Sequence, residues 1–595
     1  MTGMLFVIAA LAAPAAGNPA AVSGELKVWH RVTLTVPGPE ASETAATNPF
    51  RDYRLDVEFS RPGKRYLIPG FYAADGKAAE SGADKGNCWR ANFAPDAPGE
   101  WSYRVSFRKG RDVAMADDAA AGEAAGADGA TGKFTVAPSD KLPPDHRGAG
   151  MLRYTGGRYL QFAGSGQFYL KGGADSPENF LAYADFDGTT ARYKTARQRQ
   201  GEALSQGLHR YEPHAADWNA GDPTWRGGKG KNIIGALNYL ASRGMNSVYF
   251  LTMNVEGDGR DVWPWIEPGV RDRYDTSKLD QWEIVFSHMD RLGLLLHVVT
   301  QETENDQLLD GGELGPERRL YYRELVARFA HHPALVWNLG EENTNTTEQL
   351  KAFCGYLDAI DAYDHPIVVH THPGKYDKVY TPLLGFPQFH GPSLQMGRME
   401  HTHAETVKWV ERSAASGRPW YVCHDEVGPA DTGVKPDSLD PDHDGVRRHV
   451  LWGNLLGGGS GCEWYFGYKY PHNDLNCEDW RSRERLWDQT RWALEFFQQQ
   501  LPFTEMQPAD ELTAVADDYC FARPGEVYAV YLPAGDSTEL ELAQGRYSVR
   551  WYNPRQGGEL AAGTVETLSG PGRAGLGRPA KDDGKDWVAL VRRQR

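Results

Sequence analysis

Between Gly150 and about Leu501, short apolar runs alternate with amphipathic helical segments, and this constrains the chain's fold more than any other feature of the sequence. Eight runs stand out: Phe168–Lys171, Ser247–Met253, Leu294–Val299, Leu335–Leu339, Ile367–His370, Phe386–His390, Trp420–His424 and Gly461–Phe466. A parallel strand covered on both faces reads as a continuous apolar stretch, as Leu294 to Val299 does. The intervening helices are legible too. Ile233, Ile234, Leu237 and Leu240 share one face, with Gly244 where a C-cap belongs, and Leu279, Trp282, Val285, Phe286 and Met289 precede Gly293 in the same way. Eight such units over about 350 residues predict a (β/α)8 barrel. A doubly wound sheet would carry a Gly-rich phosphate loop after its first strand, and Lys171-Gly172-Gly173-Ala174-Asp175 lacks that pattern.

The barrel does not use the whole chain, and 595 residues exceed what one core organises. From Glu25 to about Ala137 the apolar period is two: Leu26, Val28, His30, Val32, Leu34 and Val36, then Leu55, Val57 and Phe59, with turns at Arg61-Pro62-Gly63 and Asp75-Gly76. This predicts a β-sandwich over residues 23–140, with a flexible loop in the Ala/Gly/Asp stretch Ala116–Gly132 and a polar linker at Pro138–Gly148. The barrel follows over residues 150–502. After Phe503 short alternating strands return at Tyr528–Tyr531, Thr538–Leu542, Ser548–Tyr552 and Trp587–Val591, so residues 503–595 are read as a second small β-sandwich. The fold class is therefore multidomain α/β, a central TIM barrel flanked by two β-sandwich domains.

Residues 1–22 contain Met4–Ala16 (MLFVIAALAAPAA), an apolar, small-residue stretch too short to span a bilayer. It reads as a signal-peptide core, without a positive n-region, and implies a secreted or periplasmic protein. The net charge of -16 and the lack of a Lys/Arg stripe disfavour nucleic-acid binding, and no segment suggests a membrane span. The six cysteines have no CxxC spacing, so no zinc site is indicated, although a disulfide such as Cys462–Cys477 remains open. No cofactor or metal is expected. Aromatic residues are abundant, with Trp 18, Tyr 28 and Phe 22, which suits stacking on sugar rings as well as cores. Oligomeric state is not legible.

Active sites of (β/α)8 barrels are built past the C-terminal ends of the strands. Strand four ends Trp337-Asn338-Leu339-Gly340-Glu341-Glu342-Asn343, and strand seven ends Cys423-His424-Asp425-Glu426. A carboxylate from each side of the mouth suits glycosidic cleavage, in which one group protonates the leaving oxygen and the other attacks or activates water. Repulsion and burial would separate their pKa values.

These residues resemble a known family. WNLGEEN and HDEVG resemble the strand-four and strand-seven motifs of clan A retaining glycoside hydrolases. Nearly the whole chain resembles bacterial apiosidase-like glycoside hydrolases, some labelled collagenases, which join an N-terminal immunoglobulin-like domain to a barrel and a C-terminal domain labelled collagen-binding. NPFRDYRLDVEF, IPGFYAADG and NFAPDAPGEWSYRV carry the first part. ETENDQLLDGGELG, HHPALVWNLGEEN, LWGNLLGGGSGCEWYFGY and DLNCEDWRSR carry the barrel, and YSVRWYNPRQGG with DWVALVRR the last. The resemblance implies that Glu342 is the acid/base and Glu426 the nucleophile of a retaining double displacement. Family members usually have Asn before the acid/base, holding the sugar 2-hydroxyl, and here Glu341 stands there. Glu341 then takes a different sugar contact or is itself catalytic, and Asn343 is the candidate replacement amide. Asp425 is the rival to Glu426.

Further substrate contacts are expected from strand ends and polar loops: Asp175 and Glu178 after strand one, Trp263 and Trp265 after strand two, Glu302 after strand three, His372, His390 and His424, and Glu463, Trp464 and Tyr465 on strand eight. The Glu302/Glu304/Asp306 cluster has oxygen ligands enough for Ca²⁺, but its spacing is no EF-hand. Trp337 is expected in the core. The leading expectation is a hydrolase acting on a plant or algal polysaccharide. Alternatives are a non-catalytic carbohydrate-binding or adhesion protein and a polysaccharide lyase, which the acidic strand ends disfavour because they repel a uronate. No protease motif such as HExxH is present.

Overall fold

The computed structural model describes residues 20–192, 205–535, 537–579, 581 and 584–594. Most of the proposed signal segment lies outside them. Among the described residues no helix is long and apolar enough to cross a membrane.

Eight parallel strands close into a barrel, each pairing with the next and the last with the first. In order they are Lys171–Ala174, Ser247–Leu251, Leu295–Val299, Leu335–Asn338, Ile367–Thr371, Gly391–Met396, Cys423–Val427 and Gly461–Trp464. Strands two and three match their apolar runs because Val248, Phe250, Leu296 and Val298 are buried against the helix layer. Three strands depart from expectation. Strand one begins at the last residue of its predicted run, strand seven is Cys423–Val427 rather than Trp420–His424, and strand six is Gly391–Met396 rather than Phe386–His390. The aromatic residues that suggested the earlier position pack elsewhere, Phe389 edge-on to Trp420 at 5.1 Å.

The N-terminal domain is a sandwich of two antiparallel sheets. One contains Ala21–Gly24, Val32–Ser42, Phe71–Tyr72 and Lys85–Phe93, the other Tyr53–Arg61, Lys64–Pro69 and Gly99–Lys109 with Glu123–Ala124 and Thr131–Val136 along the last. The stretch expected to be a flexible loop is folded instead: Arg54 donates to the carbonyls of Ala116, Asp118 and Ala119, and Arg108 to those of Ala120 and Gly122. The sandwich is clasped to the barrel by Arg323, which donates to Asp56 at 2.7 Å, and Arg328, which donates to the Tyr72 carbonyl at 2.8 Å.

The C-terminal domain is one six-stranded antiparallel sheet whose central strands, Val527–Leu532 and Trp587–Arg593, are buried on both faces. Ala529, Tyr531, Val588 and Leu590 join the barrel core, whereas Tyr528, Val530, Val549, Trp551 and Val591 form a second core with Leu540 and Leu542 from beyond a bulge in the strand Glu539–Tyr552. Arg447 and Asp586, both fully buried, form a bidentate pair at 2.9 and 2.7 Å that ties this domain to the barrel. All six cysteines are unpaired thiols.

Candidate active site

The C-terminal mouth of the barrel collects carboxyl groups from five strand ends. Asp175 and Glu178 follow strand one, Glu302 follows strand three, Glu341 and Glu342 strand four, Glu426 ends strand seven, and Asp474 comes from the loop after strand eight. Glu426 reaches the mouth because strand seven is irregular. Its pairing with strand six shifts from Leu394↔His424 to Gln395↔Glu426, so Asp425 is the extra residue of a bulge. The bulge breaks the alternation of side chains, letting Asp425 turn inward while Glu426 points up. Glu341, His370 and Glu426 each present an atom within 4.8 Å of the others. His370 Nε2 lies 3.3 Å from Glu426 Oε2, and its Nδ1 is 3.2 Å from the Tyr249 hydroxyl.

Glu341 and Glu342 are neighbours with opposite surroundings. Glu341 is buried; burial and the Glu426 charge push its carboxyl well above the usual range, with Glu178 in side-chain contact. Burial likewise lifts Glu178, reinforced by Glu341 and Asp474, and lifts Asp175, reinforced by Asp474, Glu341 and Glu426. Asp474 is raised to about 7 by burial, despite hydrogen bonds from Ser176 and the Glu178 amide. Glu302 is raised by burial and by Glu304 and Glu341. Glu342 instead keeps a side chain 30% exposed. Its Oε1 accepts from Gln395 Nε2 at 2.7 Å and lies 3.0 Å from His372 Nδ1. Burial would raise this carboxyl, but the His372 and Gln395 contacts outweigh it and hold it below the ordinary value. The backbone of Glu342 is left-handed, φ 43°, a conformation that non-glycine residues seldom adopt and that turns the two side chains apart. Beside this rim, about 300 Å³ of open cleft is lined by Pro373, Tyr376, Met396, Arg398, His401 and Lys408.

One layer deeper, inside the barrel, lies a second polar cluster of a different kind. Lys171 forms ion pairs with Asp425 and, at 2.9 Å, with Glu463; His297 Nδ1 is 2.6 Å from Glu463, and the Ser247 hydroxyl donates to its other oxygen. Although burial acts against it, Lys171 and His297 hold Glu463 down at about 2.

Comparison with known proteins places this arrangement. A model described as "Domain of unknown function (DUF5060)" matches residues 25–108, and one described as "Putative collagen-binding domain of a collagenase" matches residues 509–592. No curated protein matches the chain. Among solved structures, a "putative glycoside hydrolase" from Bacteroides vulgatus ATCC 8482 superposes with TM-score 0.61 and 16% identity, over 96% of this chain and 99% of that one. A second, titled "Glycoside hydrolase", gives TM-score 0.52 and 15% identity over 76% and 99%. A glycoside hydrolase family 5 protein from the same Bacteroides vulgatus strain also gives TM-score 0.52 and 15% identity, over 76% and 94%. The shared property is the fold.

The site residues expected from sequence fall into two groups. Asp175, Glu178, Glu302, Glu341, Glu342, His372 and Glu426 gather at the mouth, as described, and so does Tyr465, which lies among Asp175, Glu178, Glu426 and Asp474 and donates to the Ala430 carbonyl at 2.9 Å. The others are placed elsewhere. Glu463 is occupied by Lys171, His297 and Ser247 in the deeper layer. Trp464 turns outward, its indole donating to Thr490 at 2.9 Å on the helix Glu484–Gln500. Trp263 and Trp265 are buried, the first beneath Lys278 and the second beside Tyr274 and Tyr321, so neither offers a stacking face. His390 precedes strand six at the opposite end of the barrel, where it accepts from the Ile367 amide and packs on Tyr154. His424 is fully buried, and burial drops it to about 3. Asn343 spends its amide on Leu339, Asn345 and Asp306, fastening its own loop. Asp306 likewise accepts from Thr344 and Gln301 as part of that scaffold. Trp337 is in the core, as expected, donating to Asp361.

His370, Gln395, Tyr249 and Asp474 were not singled out from sequence as contacts. His370 and Gln395 occupy strand ends, and a correct register for strand six would have exposed Gln395. Asp474 lies within the DLNCEDW motif.

Proposed function

We propose that the chain is a retaining glycoside hydrolase in which Glu426 is the nucleophile and Glu342 the acid/base. The observation that carries this reading is the convergence of carboxyls from strand four, Glu341 and Glu342, and from strand seven, Glu426, at the mouth of a closed barrel. The double displacement follows the resemblance of WNLGEEN and HDEVG to the strand-end motifs of retaining glycoside hydrolases. The Glu426 carboxylate attacks the anomeric carbon while Glu342 gives its proton to the departing oxygen. Glu342 then takes a proton from water, which attacks the same carbon and frees Glu426.

Glu342 suits the acid/base part because it must trade protons with water twice per cycle. It is the exposed member of the strand-four pair, near an open cleft lined by Pro373 and Met396, the chain neighbours of its contacts His372 and Gln395. At rest its carboxylate sits against His372, and a sugar that displaces water from the mouth raises Glu342 toward the protonated form an acid needs. His370, held by Tyr249, orients Glu426. The substrate is a carbohydrate, and plant and algal polysaccharides are the classes to screen first.

Glu426→Gln should lower kcat about 1,000-fold or more with the fold intact, as loss of a nucleophile does. Azide added to Glu426→Ala should yield a glycosyl azide of inverted configuration, and NMR of wild-type product should show retention. Wild-type turnover by Glu426→Gln would sink the assignment.

A further inference from the structure

Glu341 stands in the most crowded position of the mouth, and its backbone leaves it no choice. Its amide donates to the Gln301 carbonyl at 2.8 Å and the Asn343 amide to the His370 carbonyl at 2.9 Å, which pins the segment on both sides and directs the side chain toward the barrel axis. The titratable groups facing it come from every neighbouring element: Asp175 and Glu178 after strand one, Tyr249 on strand two, Glu302 after strand three, His370 on strand five, Glu426 on strand seven, Asp474 after strand eight, and Glu342 beside it. Two features go beyond an acidic cluster. Glu341 and Glu178 meet carboxyl to carboxyl, a contact that needs a proton between them. Oε2 of Glu341 is buried with no hydrogen-bond partner, and Oε2 of Glu426 beside it faces His370 Nε2 at 3.3 Å.

Resting on the reading of Glu426 as nucleophile, we propose that Glu341 is a substrate-binding residue: a neutral carboxylic acid that accepts from Glu178, donates its one hydrogen bond to a substrate hydroxyl beside Glu426 and never transfers a proton. Two charged carboxylates so close and so buried repel each other strongly, and Glu426 must be the ionised one to attack. A gap of up to 4.8 Å between the two oxygens is bridged by one hydroxyl at ordinary hydrogen-bond lengths, so a substrate hydroxyl can accept from Glu341 and donate to Glu426. A carboxylic acid has one donor and one acceptor and no charge, the pattern a carboxamide also offers. Glutamine should therefore replace Glu341, whereas it cannot replace an acid/base.

The test combines infrared spectroscopy and kinetics on the full chain. The wild-type minus Glu341→Gln difference spectrum at pH 7 should contain the C=O stretch of a protonated carboxyl, and a carboxylate band there overturns the proposal. In kinetics on 2,4-dinitrophenyl and methyl glycosides of the turned-over sugar, Glu341→Gln and Glu178→Gln should stay within about 5-fold of wild type on both, while Glu341→Leu loses about 100-fold or more. The proposal fails if Glu341→Gln loses about 1,000-fold on the methyl glycoside but little on the activated one, because that split marks a missing proton donor. The parent reading fails separately, through an active Glu426→Gln.

Discussion

Two layers of buried charge, one above the other in the same barrel, differ in a single respect. In the deeper layer Asp425 and Glu463 have partners: Lys171 between them, with His297 and Ser247 completing the shell of Glu463. At the mouth Asp175, Glu178, Glu341, Glu426 and Asp474 face mainly one another, and burial raises most of them instead of lowering them. Burying a carboxylate is costly in either place, and a cation with satisfied hydrogen bonds offsets that cost only below. The compensated layer is what a barrel interior needs in order to hold its strands. The uncompensated layer destabilises the chain with no structural return, which is the pattern of a site kept for chemistry. The same contrast separates Asp425 from its neighbour Glu426: the bulge gives one to Lys171 and leaves the other facing the mouth.

The contrast is broken most directly at Lys171. Lys171→Met should strand Asp425 and Glu463 in the barrel interior, and removing one partner of a buried ion pair costs about 3–5 kcal/mol. Thermal or urea unfolding would read this as a large fall in stability. An unchanged midpoint would mean the deeper layer is not held by its charges. Lys171→Met with Asp425→Asn and Glu463→Gln together should recover much of the loss, because no orphan charge is left.

The layers should also respond oppositely to pH. Glu463, held at about 2 by Lys171 and His297, binds fewer protons folded than unfolded, so its contribution is present above its ordinary value of 4.5 and is lost as pH falls toward 2. Asp474, raised to about 7, binds more protons folded than unfolded between 3.8 and 7. Its contribution is therefore full below 3.8 and disappears as pH rises through 7. Unfolding free energies from pH 4 to 8 should show a decline in the wild type that is shallower in Asp474→Asn. Equal slopes would remove Asp474 from the uncompensated set.

How far each layer was legible follows from the same physics. The barrel strands with mostly apolar runs, such as Leu295–Val299 with His297 as its one polar residue, were readable because burial on both faces favours apolar side chains. Strand one, Lys171-Gly172-Gly173-Ala174, strand six, Gly391–Met396, and strand seven, Cys423–Val427, were misplaced because the first is half glycine, the second carries Ser393 and Gln395, and the third carries His424, Asp425 and Glu426. That error in strand six carried His390 to the wrong end of the barrel. Glu341, Glu342 and Glu426 could be named from their position after a strand, since chain order decides which end of a barrel a loop occupies. Glu463 could not be separated from them, because its partner Lys171 lies 292 residues away and only closure of the barrel brings the two together. Trp263 and Trp265 misled for a related reason: their loop is polar in sequence but folds its indoles under Lys278 and against Tyr321.

The smallest effect is expected at His390, which tests whether the mouth alone carries function. Its ring lies below the N-terminal end of strand six, accepting the Ile367 amide at 2.9 Å, and burial holds it neutral with a pKa of about 3. His390→Ala removes an acceptor from a buried backbone donor, a loss of about 1–3 kcal/mol of stability. kcat and KM should stay within about 2-fold of wild type, since no step at the mouth, at the far end of the strands, uses this ring. A fall in kcat without a fall in stability would couple the two ends of the barrel and remove the separation on which the assignment of the mouth rests.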